Sequence, residues 1–249
     1  MTTLAPGARE YLLAFADDEH LIGQRHTEWI GIGPFLEEDL ALTSIAQDEL
    51  GHAAGLYGLL TDQIDRLALL RPAGEYRSCW LVEQPGTDYA WALARHWLYD
   101  TAERHRWEAV ADAPVPALTT LARRALREET YHRRHAEAMI RRLLSGTAES
   151  HARMADAIRD AVPLAAALFD PVAGEAEAAA EGITSRTSAD IADDWWREVA
   201  AMLDRHSLEV VRPVVDPSYQ NSRARRCEHF AALHADLTEV ISIDPTGRW

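Results

Sequence analysis

Lysine is absent from this chain: all 25 basic residues are arginine. That excludes a Schiff-base lysine and the lysine of a phosphate-binding loop. Cysteine is scarce too. Cys79 and Cys227 lie far apart and in no Cys-x-x-Cys spacing, which excludes a disulfide scaffold, a zinc ribbon and a thioredoxin motif. No apolar run approaches the roughly 18–20 residues that a membrane helix needs. Met1–Gly7 holds neither a basic region nor an apolar block, so no secretory signal is expected and the cytoplasm is the expected location. Positive charge is in short supply: 25 basic residues stand against 40 acidic ones, for a net charge of −15. A surface of that sign repels phosphate, so neither nucleic acid nor an anionic membrane is an expected partner. Glycine-rich phosphate loops and nucleophile elbows are missing, which leaves triad chemistry without an anchor.

What the sequence does hold is 249 residues with 47% hydrophobic content, enough to bury a full core without disulfides or a structural metal. Its periodicity is helical almost throughout. The pattern predicts helices over Ala8–Thr27, Leu36–Leu70, Asp88–Ala111, Pro116–Leu144, Glu149–Phe169, Ser188–Leu208 and Arg223–Ser242, with Asp88 as an N-cap and Pro163 as a kink. Asp170–Gly182 is ambiguous. The one β-branched run, Val210–Val215, is weakened by Pro213. We read an all-α bundle in a single domain spanning 1–249, with its core at about 8–170 and additional helices at about 187–243.

Two segments of the pattern carry chemistry. Glu49 and His52, and again Glu129 and His132, form Glu-x-x-His pairs in mid-helix. Glu49 falls seven residues after Leu42 and four after Ile45; Glu129 falls seven after Ala122 and four after Ala125. Both pairs therefore sit inside apolar stripes, where a carboxylate costs several kcal/mol unless it is paired or bound to a cation. Arg123, Arg124, Arg127, Arg133 and Arg134 fall largely on other faces of their helix and read as solvated, or as a subset that meets an acidic partner or coenzyme A. Each motif is preceded by an inward carboxylate: Glu19, on the stripe of Leu12, Phe15 and Ile22, and Asp100, seven residues after Leu93. Asp100 has the shorter arm, and Glu103 is its substitute. Four carboxylates and two imidazoles, Glu19, Glu49, His52, Asp100, Glu129 and His132, suit two iron or manganese ions. A buried polar network without metal remains the alternative. His20, His26, His96, His105 and His135 read as surface groups or as neighbours of the ligands, and the eight tryptophans as core or interface filler.

Several stretches resemble the C-type component family of phenylacetyl-CoA epoxidase, ferritin-like proteins of aerobic phenylacetate degradation: Gly23–Trp29, Glu37–His52, Leu81–Pro85, Arg95–Asp100, Glu128–His132 and Leu168–Pro171, with the terminal Trp249. The likeness thins after residue 172, and the tail from Tyr219 departs from the family pattern. The resemblance implies a ferritin-like bundle within a multicomponent oxygenase. In that family the di-iron site belongs to a catalytic A-type subunit, which epoxidises phenylacetyl-CoA with O2. A reductase brings electrons from NADPH, and the C-type component is mainly a structural partner that meets phenylacetyl-CoA only through the complex. The six ligand-type residues nevertheless fall where the catalytic paralogue would place its own. An oxygenase active in its own right is therefore the alternative, whereas an iron-storage shell would call for a shorter chain.

Overall fold

A computed structural model describes residues 4–214 and 222–246. The described residues form ten α-helices and no strand. Four long ones build the core: α1 (Pro6–Thr27), α2 (Leu36–Leu60), α5 (Tyr89–Val110) and α6 (Pro116–Leu144). Between them lie α3 (Ile64–Leu69) and α4 (Trp80–Glu83); after them come α7 (Ala148–Ala165), α8 (Glu175–Ala180), α9 (Ser188–Arg205) and α10 (Phe230–Ile243). The result is the all-α, ferritin-like bundle. Among these helices none is long and apolar enough to cross a membrane.

Local chemistry sets the ends of the long helices. Pro6 and Pro116 open α1 and α6, where a missing N–H costs nothing. Asp88 caps α5 by accepting a hydrogen bond from the Trp91 N–H at 2.8 Å. The turn from α1 to α2 passes through Gly31 at φ +84, a conformation that favours glycine.

Some expected boundaries shift. Leu36–Leu70 is two helices, broken at Thr61, whose backbone is fully extended. No Gly or Pro marks that break. Arg223–Ser242 begins its helix only at Phe230, after a short 3-10 turn at Ser222–Ala224. Pro163 lies near the end of α7, which tightens into a 3-10 turn at Ala166–Phe169. Asp170–Gly182 contains the short α8. Residues 210–214 form no strand. Val215, Tyr219 and Trp249 lie outside the described residues.

α1 packs along α2, α5 along α6, and α2 against α6, while α7 and α9 cover α5. Two apolar clusters fill the bundle. One gathers Leu12, Phe15, Leu56, Trp107 and Ala125; the other gathers Ile22, Leu93, Trp97, Ile140 and Ile158. Between them in sequence on α1, α5 and α6 lie Glu19, Asp100, Glu129 and His132, and on α2 Glu49 and His52 directly precede Ala53 and Leu56 of the first cluster, so the four core helices share a polar layer. Gly23 belongs to the same level. A Cβ there would stand 3.1 Å from the Glu49 Cβ, so glycine lets α1 approach α2 beside the layer.

Candidate metal centre

Every side chain of that layer is shut away from solvent. Glu19, Glu49, His52, Asp100, Glu103, Glu129 and His132 are all 0% exposed. Glu and His three apart on a helix project to one side, and α2 and α6 present their pairs toward one another. Three donor groups result, each with ligand atoms within 4.8 Å of one another: Glu19, Glu49, His52 and Glu103; Glu49, Glu129 and His132; Asp100, Glu103 and Glu129. The structure thus brings all six sequence-derived residues together and adds Glu103 beside Asp100.

Glu49 lies between the two histidines. One of its oxygens is 3.6 Å from His52 Nδ1 and the other 3.4 Å from His132 Nδ1. The inward Nδ1 of His52 also faces Glu19 at 3.2 Å, and that of His132 faces Glu129 at 3.1 Å. The outward nitrogens are held crosswise. His52 Nε2 is 2.8 Å from Glu128 Oε2, and His132 Nε2 is 3.3 Å from Asp48 Oδ2. With the proton on Nε2, the Nδ1 lone pair points into the layer, the arrangement that makes imidazole a metal ligand. Two aromatic donors complete the frame: Tyr99 Oη donates to Glu19 Oε1 at 2.6 Å, and Trp107 Nε1 donates to Glu103 Oε1 at 2.7 Å.

The electrostatics are those of carboxylates crowded out of water. Burial, reinforced by neighbouring carboxylates, pushes Glu19, Asp100 and Glu129 well above the usual carboxylate range. Burial also works against charge on Glu49 and Glu103. The imidazoles of His132 and His52 beside Glu49, and that of His52 beside Glu103, outweigh it, and Glu103 falls to about 2. Burial alone would lower both histidines, yet the surrounding carboxylates raise His52 and His132. Protons thus stand in for positive charge that this layer needs.

The chemistry of these residues could hold a metal ion. Both oxygens of Glu49, Asp100 and Glu129, together with Glu103 Oε2 and His132 Nδ1, are buried without any hydrogen-bond partner. Orphaned buried carboxylates are costly, and a bound cation would satisfy them. Hard oxygen donors mixed with imidazole suit iron or manganese rather than a thiophilic ion.

Four neighbours escaped the sequence reading. Asp48, Glu128, Tyr99 and Trp107 touch the ligand-type residues and were not singled out. Acidic residues directly before the Glu of both Glu-x-x-His motifs were the available signal for the first two. The surface reading of the other histidines is corrected: His20, His26, His96 and His105 are buried. His96 Nδ1 lies 3.1 Å from Asp100 Oδ2, and the His26 ring stands perpendicular to that of His96 with centroids 4.8 Å apart. Their positions on α1 and α5 face an adjoining helix instead of solvent.

Comparison with known proteins agrees with this architecture. The chain is 28% identical over 248 residues to the C component of 1,2-phenylacetyl-CoA epoxidase from Escherichia coli (strain K12), covering 96% of this chain and 98% of that component. Residues 4–249 match the family described as phenylacetic acid catabolic protein, and the chain belongs to that family.

Proposed function

We propose that this chain is a subunit of a cytoplasmic phenylacetyl-CoA epoxidase assembly, where it pairs with a homologous catalytic A-type subunit and serves mainly as its structural partner. The observation that carries this reading is the end-to-end similarity to the C component of a known epoxidase. Two features of the fold support it. The cavity lined by His26, His96, Trp29, Tyr89, Leu42 and Leu93, beside Asp100, measures about 10 Å³. That is room for about one water, not for the aromatic acyl group of a thioester. Ile30, Ile32, Leu36 and Leu40, between 43% and 69% exposed at the turn from α1 to α2, offer the apolar surface that a helical partner covers.

We further propose that the buried layer holds two iron ions, with manganese as the alternative, through Glu19, Glu49, His52, Asp100, Glu129 and His132. Iron held there supplies redox chemistry toward dioxygen. The chain's own residues supply the rest. Glu128 and Asp48 fix the imidazole tautomers, Tyr99 orients Glu19, and the apolar clusters exclude bulk water. The complete donor set is the specific observation that favours the second reading, an oxygenase catalytic in its own right.

One experiment separates the two. The chain is purified alone and with a co-expressed A-type subunit, both iron-replete. Iron per chain and conversion of phenylacetyl-CoA with O2 and a reductant are then measured. Stable co-purification, with turnover that requires the A-type subunit, is the expected result. Turnover by the iron-loaded chain alone establishes the second reading, and failure to associate removes the first.

A further inference from the structure

The donor layer contains one carboxylate more than the six-residue set requires. Glu103 follows Asp100 by three positions on α5, so the two project to the same side of that helix. Each is fully buried. Glu103 nevertheless belongs to two of the three donor groups: it stands with Glu19, Glu49 and His52 in one, and with Asp100 and Glu129 in another. Asp100 reaches only the second. Glu49 is the other residue that serves both halves, through Glu19 and His52 on one side and Glu129 and His132 on the other.

The hydrogen bonding of Glu103 is divided accordingly. Trp107 Nε1 fixes Oε1 at 2.7 Å, and that same oxygen lies 3.5 Å from His52 Nδ1. Oε2 is buried without a partner. Trp107 is itself locked between Phe15, with ring centroids 4.4 Å apart, and His52, at 5.3 Å. The carboxylate is thus held in a fixed orientation with one oxygen left to donate. Donors on opposite sides of one ion with bonds of about 2.0–2.2 Å stand about 4 Å apart, and the ligand atoms of both groups that contain Glu103 lie within 4.8 Å of one another.

We propose that Glu103 is a ligand shared by the two metal positions, so that α5 contributes two carboxylates and the centre has seven protein donors. In this arrangement Asp100 is a terminal ligand on the Glu129 side, Glu19 is its counterpart on the other side, and Glu49 and Glu103 span the pair. The proposal rests on the reading of the layer as a metal centre.

The test is anaerobic titration of the full-length chain with Co2+ as the probe, reading cobalt per chain and the visible absorption of bound cobalt. The wild type should take two equivalents. Glu103→Gln keeps the shape and still accepts from Trp107, and it should weaken both equivalents by about tenfold or more. Asp100→Asn should weaken one. Should Glu103→Gln fold poorly by circular dichroism, Glu103→Asp serves instead: it keeps the charge, withdraws the donor by one methylene and should again weaken both equivalents. A wild type that binds two ions alongside a Glu103 variant that binds both equally tightly overturns the shared-ligand proposal and leaves the metal centre standing. A wild type that binds no cobalt overturns the metal centre, and the shared ligand with it.

Discussion

His52 on α2 is held from outside the donor layer by Glu128, the residue directly before Glu129 on α6, with Nε2 and Oε2 2.8 Å apart. The mirror relationship joins His132 on α6 to Asp48, directly before Glu49 on α2, at 3.3 Å. Each Glu-x-x-His helix therefore orients the imidazole of the other. Removing such a support typically costs 10–100-fold in metal affinity. Glu128→Ala should weaken Co2+ binding within that range of about 10–100-fold, and Asp48→Ala should weaken it less, because its contact is longer. Competition against a chromogenic chelator measures both. Equal affinity in wild type and Glu128→Ala would remove the orienting role.

The metal-free protein should lose stability as pH rises from about 6 to about 9. Glu19, Asp100 and Glu129 have folded-state pKa values above their unfolded ones. The native state therefore binds more protons than the unfolded state above the ordinary carboxylate value, and stability declines as pH increases from there. The contributions of His52 and His132, also raised, are fully present below the ordinary histidine value and are lost as pH climbs through their folded values. Glu49 and Glu103, both lowered, act in the opposite sense: their contribution is present above the ordinary carboxylate value and disappears in acid, for Glu103 as pH falls through about 2. Thermal melts of the chelated chain should show a fall of about 2–4 °C for each kcal/mol lost, since about 1 kcal/mol moves Tm by roughly that much at this size. A flat profile from pH 6 to 9 would contradict the crowding of these carboxylates.

Metal binding should run the other way. Bound ions need deprotonated carboxylates and a free Nδ1 on each histidine, so affinity should increase with pH and protons should be released on loading. The double variant Glu49→Ala with His132→Ala removes the central carboxylate and one imidazole. It should keep its helices by circular dichroism while losing both the uptake and the proton release seen in weakly buffered medium. Retention of two ions by that variant would place the site elsewhere.

The helical architecture was legible because apolar spacing repeats at helical intervals over long stretches. The donor layer was legible because Glu-x-x-His fixes two polar groups to one face, and because Glu19 and Asp100 interrupt otherwise apolar stripes. Asp48 and Glu128 were not legible in the same way. Each points about 100° away from the adjacent ligand and reads as solvated until the opposite helix supplies an imidazole. The break after Leu60 lacks any glycine or proline, so the run to Leu70 continued the pattern across it. Arginine was legible only in part. On α6 it does mark the exposed face, at Arg123, Arg124, Arg127 and Arg134. Arg71, Arg95, Arg106 and Arg223, however, are buried, and the acceptors that permit this come from distant parts of the chain.

Arg223 is the clearest of these, and it ties the segment after residue 221 to the core. Its guanidinium donates to Asp18 Oδ2 at 2.9 Å, to the Leu168 and Arg77 carbonyls at 3.0 Å each, and to the Asp170 carbonyl at 3.3 Å. Asp18 directly precedes Glu19, and it also receives Arg106 at 2.9 Å and the Cys79 N–H at 2.7 Å. Arg223→Ala would leave Asp18 with Arg106, so no buried charge is stranded, but three carbonyls would lose a donor. Breaking a buried pair costs about 3–5 kcal/mol. Because Arg106 remains, the lower end, about 3 kcal/mol, is expected from chemical denaturation. Arg223→Lys should recover little of it, since an ammonium cannot spread its donors over a planar fork. Limited proteolysis should then cut the chain near residue 222 in both variants and spare the wild type. A loss under about 1 kcal/mol with unchanged proteolysis would mean that α10 and the apolar contacts of Phe230 and Leu233 hold this segment without the arginine.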